Sequence, residues 1–175
     1  MPKNSVDQIL CDKKSAKKNF CSAMKISHRK PLIAAFLDNE LNEKIANKLK
    51  ELAIGTKVLD AHIVILADTN LETMPSEVLF PYSRKNRKLL LDAGDIVLPF
   101  SFNDVEEFLL HGLVPVSIKR EELTDYNPNK EMGNAFICSS DNPWSIFAGI
   151  VRATETYKFP YDWKHLIVSG IESVK

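Results

Sequence analysis

Short, uninterrupted apolar runs recur along this chain, each four to six residues long, and helical patterns separate them. The runs lack the alternation of polar and apolar residues that marks a strand with one face in water. A continuous apolar run is typical of a strand covered on both faces, as in a parallel sheet. The runs lie at Pro31–Phe36, His62–Leu66, Glu77–Phe80, Asp95–Leu98 and Leu113–Ser117.

The segments between these runs carry apolar residues at helical spacing, together with residues that start or stop helices. Helices are predicted over residues 12–25 and 104–111. Two more extend from a cap at Asn39 to a stop at Gly55, and from a cap at Ser83 to about Leu91. The last two begin at Asn142, with Pro143 in the first helical position, and after Pro160. Ala135–Cys138 is predicted as a small edge strand, and residues 119–134 as irregular. Alternating strands and helices predict the α/β class: a Rossmann-like parallel sheet with helices on both faces. We expect residues 1–175 to form one such domain, with a basic helical segment at about residues 10–27.

Ligands in open parallel sheets bind outside the carboxyl ends of the strands. The loops after Phe36, Leu66, Phe80, Leu98 and Val116 are therefore the places where chemistry is expected. The loop after Phe36 lacks the glycines that let a backbone wrap a pyrophosphate, so no dinucleotide cofactor is predicted.

The chain has three cysteines, Cys11, Cys21 and Cys138, and no pair of them is closely spaced. Such a set predicts neither a zinc site nor a disulfide framework, and no metal is expected. No local signature identifies one of them as a nucleophile. We expect all three thiols in or near the core, where free cysteines usually lie.

Positive charge is concentrated near the N-terminus. Residues 1–30 carry eight Lys and Arg against two Asp, a net charge of +6 in a chain of zero net charge. A basic segment can attract phosphates, and we expect a solvated helix face near a phosphate-bearing ligand. Because Phe20 is its one aromatic residue, the segment lacks the pattern of a nucleic-acid module, and nucleic acid is not expected as a partner.

The sequence also indicates the cellular compartment in which the protein is expected. The apolar runs are too short to cross a bilayer, so no membrane partner is expected. The chain opens Met-Pro-Lys-Asn and soon reaches Asp7, without the apolar core of a signal peptide. A cytoplasmic location is expected.

An ordered series of motifs extends from about residue 10 to residue 173. Its pieces are Lys13–Met24, Pro31, Tyr82, Asp92–Asp95, Ile96–Pro99, Phe100–Phe102, His111-Gly112, Val114–Val116, Gly133–Phe136, Tyr157, Trp163–Leu166 and Gly170. In order and spacing the series resembles the C-terminal domain of bacterial glycogen and starch synthases, which are retaining glucosyltransferases of the two-Rossmann-domain (GT-B) type. The resemblance implies binding of ADP- or UDP-glucose, a glucan acceptor and a role in glycogen biosynthesis.

Several donor-site motifs of that family are altered in this chain. Asp38 stands where the family has an Arg, and Glu43 stands where it has a Lys that binds the donor diphosphate. Lys44 is one residue out of register, about 100° around a helix, and is a weak phosphate candidate. The family's Glu-Pro-Cys-Gly segment is interrupted, which leaves Asn103 as a weak candidate, and a Gly-Gly pair is replaced by Glu121-Glu122.

The resemblance also implies roles for two further groups. Tyr82 stands where the family places a Tyr that stacks on adenine; a structural role at a strand end is the alternative. The family takes its catalytic His and much of its acceptor site from an N-terminal domain, which we expect on the same gene or on another chain. None of the histidines here matches that His, so the catalytic residues stay unassigned, and His62 and His111 are expected to pack or cap.

Two functions remain open at this point. In one, the chain is the donor-binding domain of a glycogen synthase-like glucosyltransferase and is not catalytic by itself, because cations that stabilise the leaving diphosphate are missing. In the other, it is a degenerate, non-catalytic GT-B half-domain that acts as a protein- or glucan-interaction module.

Overall fold

The computed structural model describes residues 3–37, 43–67, 79–100 and 104–174. Its helices are α1 (Lys3–Ala23), α2 (Glu43–Thr56), α3 (Arg84–Ala93), α4 (Val105–Leu110), α5 (Pro143–Tyr157) and α6 (Pro160–Ser173). Its strands are β1 (Leu32–Leu37), β2 (His62–Ala67), β3 (Leu79–Pro81), β4 (Ile96–Leu98), β5 (Val114–Ile118) and β6 (Phe136–Cys138).

The strands form one parallel sheet in the order β3-β2-β1-β4-β5-β6. β1 pairs with β2 along its whole length and with β4 on its other side, so the strand order reverses between β1 and β4. The predicted Rossmann-like α/β fold is thus confirmed, as is the edge position of the strand near Cys138. Such a reversal opens a crevice at the carboxyl ends of the strands.

Burial on both faces of the sheet explains the uninterrupted apolar runs. In β1, Ile33 and Ala35 belong to the core under α2, α5 and α6, whereas Ala34 and Phe36 belong to the core under α3 and the C-terminal half of α1. All of β1 is at most 3% exposed. A polar residue on either face of this strand would therefore be buried, and the alternating pattern of a half-exposed strand is excluded.

Two of the predicted helix caps form as expected. The Ser83 hydroxyl accepts a hydrogen bond from the Asn86 NH at 3.0 Å and opens α3. The Asn142 side chain accepts one from the Ser145 NH at 2.8 Å, and Pro143 takes the first position of α5. Asn39 lies outside the described residues, as do the first two residues of the run predicted at 77–80.

Two helix boundaries differ from the predictions. α1 begins at Lys3 rather than near residue 10, because Val6 extends its apolar stripe into the core. Gly55 does not stop α2 but lies inside it, one residue before its end. A Cβ at Gly55 would lie 3.0 Å from the Phe147 ring, so the glycine permits the close approach of α5.

The cysteine prediction holds for two of three thiols. Cys21 and Cys138 are buried, but Cys11 is exposed because it lies on the outer face of α1, so its expected burial was wrong. All three are free thiols.

The expectation of a solvated basic face on α1 is also wrong in part. Lys14 and Lys18 are exposed, but Lys13 and Lys17 are buried on the inner face of the helix. Lys17 donates to the Asp95 carboxylate, which also accepts the Leu32 NH at 2.7 Å. A buried carboxylate at the start of β4 therefore compensates the lysine charge, and these lysines lie at the amino edge of the sheet, away from the crevice.

None of the helices in the described ranges is both long enough and apolar enough to cross a membrane.

Candidate functional site

A cavity of about 160 Å³ opens at the carboxyl edge of the sheet, beside the reversal of strand order. Its walls are the ends of β4 and β5, the first turns of α2, and the residues that lead into α5. Apolar side chains line most of it, among them Ile45, Leu98, Val116 and Ile146. The polar lining includes Lys48, Arg120 and Asp141. An apolar cleft with a few convergent polar groups is the usual form of a small-molecule site.

The chain turns out of the sheet at this edge for local reasons. Pro99 follows Leu98, and a proline cannot donate to a neighbouring strand, so β4 ends there. β5 ends at Ile118, two residues before Arg120. Because the two strands are parallel, both chain exits lie at the same edge and together form the floor of the cavity.

Arg120 connects the segment after β5 to the segment after β4. Its Nη2 donates to the Pro99 carbonyl oxygen at 3.0 Å. Burial lowers the pKa of the guanidinium, with Glu122 acting in the opposite direction, but a guanidinium stays charged in proteins. The cavity wall therefore carries a positive charge whose position is held by the β4 loop.

Lys48 and Asp141 form an ion pair across the cavity mouth. Lys48 Nζ lies 2.9 Å from Asp141 Oδ2, with 10% of the lysine side chain exposed against 62% of the aspartate. The hydrogen bond from Lys48 and its charge hold the pKa of Asp141 below the usual value. The cation is thus built into the wall, whereas its counter-ion lies largely in solvent, where an anionic ligand can compete with it.

An adjoining recess of about 520 Å³ contains Lys44, the phosphate candidate of the sequence analysis. Lys44 is exposed on the first turn of α2, four residues before Lys48, so the two lysines lie on the same face of the helix. Asp141 and Pro143 form the opposite side of the recess. Lys44 is therefore placed beside the cavity.

Tyr82 lies elsewhere. It follows β3 at the edge of the sheet, and β2 and β1 separate it from β4, about 14 Å at ordinary strand spacing. Its half-buried side chain packs, like that of Phe80, against the core that contains Phe20, on the opposite face of the sheet from the cavity. The structure does not bring Tyr82 together with Lys44, and its stacking role stays a prediction. Asn103 and Asp38 lie outside the described residues.

The two histidines expected to pack or cap occupy such positions. His62 is the first residue of β2, and burial lowers the pKa of its imidazole. His111 follows the last residue of α4, where its NH donates to the Glu107 carbonyl oxygen. Both lie at the amino edge, and neither lines the carboxyl-edge cavity.

Sequence reasoning did not single out Lys48 or Asp141. Lys48 could have been found from Lys44, since residues four apart share a helix face. Asp141 carried no signal beyond its place next to the capping Asn142. In the parts of the chain that the structure describes, no three His, Cys, Asp or Glu side chains are grouped so as to hold a metal ion.

Comparison with known proteins places this geometry in a structural context. No protein-family model matches the chain, and no curated protein matches its sequence. Among solved structures, the chain is similar to a glycosyltransferase from Rickettsia africae ESF-5, with a TM-score of 0.63 and 12% sequence identity. The chain shares its fold with part of that glycosyltransferase.

The similarity covers 94% of this chain and 49% of the glycosyltransferase, so the chain spans about half the length of that protein. At this identity the likeness concerns the fold alone. It does not distinguish the glycogen and starch synthases from other glycosyltransferases.

Proposed function

We propose that this chain is a GT-B-type half-domain that binds a nucleoside diphosphate sugar, ADP- or UDP-glucose, at its carboxyl-edge cavity. The observation that carries the proposal is that Lys48 of α2 and Arg120 line one cavity at the carboxyl ends of parallel strands, beside the reversal of strand order. Ligands of open α/β sheets bind at such a position.

The charges of the cavity fit a diphosphate. Arg120 offers a planar group that can hold two phosphate oxygens, and Lys48 offers a point charge. Among the residues that the structure describes, the cavity lining has the cations Lys48 and Arg120 and the anion Asp141, and the adjoining recess adds Lys44 together with Glu51. Because Asp141 competes for Lys48, we expect weak binding that salt weakens further.

We further propose that the chain does not transfer glucose by itself. A leaving diphosphate needs preorganised positive charge in the transition state, and here Lys48 is already paired with the Asp141 carboxylate. The resemblance to the synthases adds Asp38 and Glu43 at positions where cations are expected. A glucan acceptor would then require an N-terminal acceptor domain, on the same gene or on another chain.

Calorimetric titration of ADP, UDP and ADP-glucose tests the donor-binding proposal. We expect saturable heat from at least one of them, and an affinity lower by at least about tenfold in Lys48→Met and in Arg120→Met, since hydrogen bonds to charged groups contribute about 1.5–3 kcal/mol. Lys85→Met is the matched control, because this exposed lysine lies on α3, away from the cavity. Absence of heat at millimolar nucleotide would contradict the proposal. Tyr82→Ala, measured alongside, decides whether this tyrosine stacks on the base.

One observation favours the alternative of a glucan-interaction module. Trp144, the second residue of α5, is 80% exposed and follows Pro143, which lines the recess. An exposed aromatic face can stack on a sugar ring. Quenching of tryptophan fluorescence by maltohexaose that is lost in Trp144→Ala, together with silent nucleotide titrations, would support this second function.

A cytoplasmic location belongs to the same proposal. Cys11, Cys21 and Cys138 are free thiols, which suits a reducing compartment.

A further inference from the structure

A second cavity, of about 350 Å³, lies at the opposite edge of the sheet from the proposed nucleotide site. It opens between α1, the end of α3 and the turn after α4. Lys13, Asp92 and His111 are among the residues that line it. Asp92 comes before β4 and His111 comes before β5, so this cavity is at the amino edge. Nothing in the proposed sugar-nucleotide chemistry uses these groups.

Both the aliphatic part of the Lys13 side chain (its stem) and its amine contact the protein at this cavity. The residue is 7% exposed, and its Nζ donates to the His111 carbonyl oxygen at 3.1 Å. The stem passes Gly112, whose φ of +68° favours glycine, and a Cβ there would lie 3.7 Å from Lys13 Cδ. The amine is therefore fixed in a position that a surface lysine does not have.

His111 is oriented by a carboxylate. Its Nδ1 lies 3.0 Å from Asp92 Oδ1, and the other carboxylate oxygen of Asp92 accepts from Lys88 Nζ at 3.0 Å. With Nδ1 directed at the carboxylate, Nε2 is the ring nitrogen left to exchange protons. The cavity thus combines a buried amine with an oriented acid–base group.

The surroundings of Lys13 raise the fraction of its amine that is neutral. Burial lowers the pKa of Lys13 to about 8, the charge of Lys17 acts in the same direction, and the charges of Asp95 and Asp92 act against it. The backbone oxygen of His111 accepts the hydrogen bond of the amine, and His111 lines the same cavity as Lys13. At pH 7 about 10% of such a lysine is unprotonated, against about 0.03% of an ordinary lysine.

We propose that Lys13 is a carbonyl-reactive site that takes small aldehydes as reversible imines, with His111 exchanging the protons. The unprotonated Nζ attacks the carbonyl carbon and forms a C–N bond, while the carbonyl π electrons move to the oxygen. A proton released from the nitrogen reaches that oxygen by way of His111, which gives a carbinolamine. The C–O bond then breaks, water leaves with the second proton of the nitrogen, and the C=N bond forms. The reaction needs no oxidant or reductant.

The test uses the unaltered chain and glyceraldehyde as the probe, with cyanoborohydride to trap the imine and peptide mass spectrometry to locate it. Lys14 is the internal control, because it is exposed on the same helix. At pH 7 we expect Lys13 to be labelled at least about tenfold faster than Lys14, since the larger neutral fraction outweighs the weaker basicity of its amine. The rate at Lys13 should level off above about pH 8, while that at Lys14 continues to rise. Equal or slower labelling of Lys13 would overturn the proposal.

A variant separates the role of His111 from simple packing. His111→Asn keeps the backbone oxygen that holds Nζ but removes the imidazole. We expect labelling of Lys13 to slow severalfold in this variant, with the pH midpoint near that of the unaltered chain and labelling of Lys14 unchanged. An unchanged rate at Lys13 would exclude proton exchange by His111. Because the nucleotide cavity lies at the other edge, nucleotide titrations succeed or fail independently of these results.

Discussion

The buried carboxylate of Asp95 is balanced by hydrogen-bond donors that lie next to it. Asp95 receives the Lys17 ammonium and the Leu32 NH, and Lys17 also donates to the Tyr157 hydroxyl at 2.7 Å. Burial lowers the pKa of Lys17, but the charge and the hydrogen bond of Asp95 act against it and leave the pKa raised. This network ties α1 and α5 to the starts of β1 and β4. Lys13, one helical turn away, has no carboxylate within hydrogen-bond distance among the described residues, and its pKa is lowered instead.

The Asp95 network predicts a large loss of stability for Asp95→Asn. The substitution leaves the buried Lys17 charge without its counter-ion, which costs about 3–5 kcal/mol in comparable cases. Urea denaturation followed by circular dichroism measures the free energy of unfolding. Asp60→Asn is the control, because its ion pair with Lys30 is exposed, and we expect no measurable change there. A small effect of Asp95→Asn would show that Lys17 finds another partner.

The lowered pKa of Lys13 predicts that the stability of the protein depends on pH. Its pKa falls from the ordinary 10.5 to about 8 on folding, so between these values the unfolded chain binds more protons. The free energy of unfolding therefore rises with pH across this window, by about 3 kcal/mol if Lys13 acts alone. In Lys13→Met that rise is absent.

The measurement is the difference in unfolding free energy between Lys13→Met and the unaltered chain, at pH 7 and at pH 10. We expect the advantage of the variant to shrink, or its disadvantage to grow, as the pH rises. A difference that stays constant would mean that Lys13 keeps an ordinary pKa in the fold.

At the scale of elements, close contacts between helices and strands decide where glycine is needed. Gly149 lies in α5, and a Cβ there would meet Val116 Cγ1 at 2.6 Å and Cys138 Sγ at 2.8 Å. α5 therefore lies directly on β5 and β6. Neither this contact nor the one between Gly55 and Phe147 follows from helical periodicity, because each depends on a partner far along the chain.

Gly149→Ala is predicted to destabilise the protein although alanine favours helix. Alanine gains about 1 kcal/mol in helix propensity, but overpacking against strand side chains costs about 1–3 kcal/mol. We expect a net loss in urea denaturation. At the neighbouring exposed Ala148 of the same helix, Ala148→Gly should lose only the propensity of about 1 kcal/mol. A stabilised Gly149→Ala would mean that α5 can move away from the sheet.

At the scale of the whole molecule, one sheet serves two cores. Each strand of the centre buries alternate residues under helices on opposite faces, so neither core persists without the sheet. The carboxyl-edge cavity and the amino-edge cavity lie at opposite ends of the same strands. The two proposed sites are therefore separate in space as well as in chemistry.

The shared sheet predicts cooperative unfolding. Trp163 is buried in one core, and far-ultraviolet circular dichroism reports all helices. We expect tryptophan fluorescence and circular dichroism to give coincident urea transitions, as for a two-state domain. An earlier transition in fluorescence alone would indicate that α6 separates before the sheet.

The sequence by itself determined the fold class, the order of the elements and the caps at Ser83 and Asn142, because apolar runs, helical spacing and capping depend on residues close together in the chain. Only the tertiary structure decided which residues meet at the two candidate sites. Lys48 meets Asp141 across 93 positions, and Lys13 meets His111 across 98. No local pattern encodes such pairs, since they arise from the way the parallel strands align at each edge of the sheet.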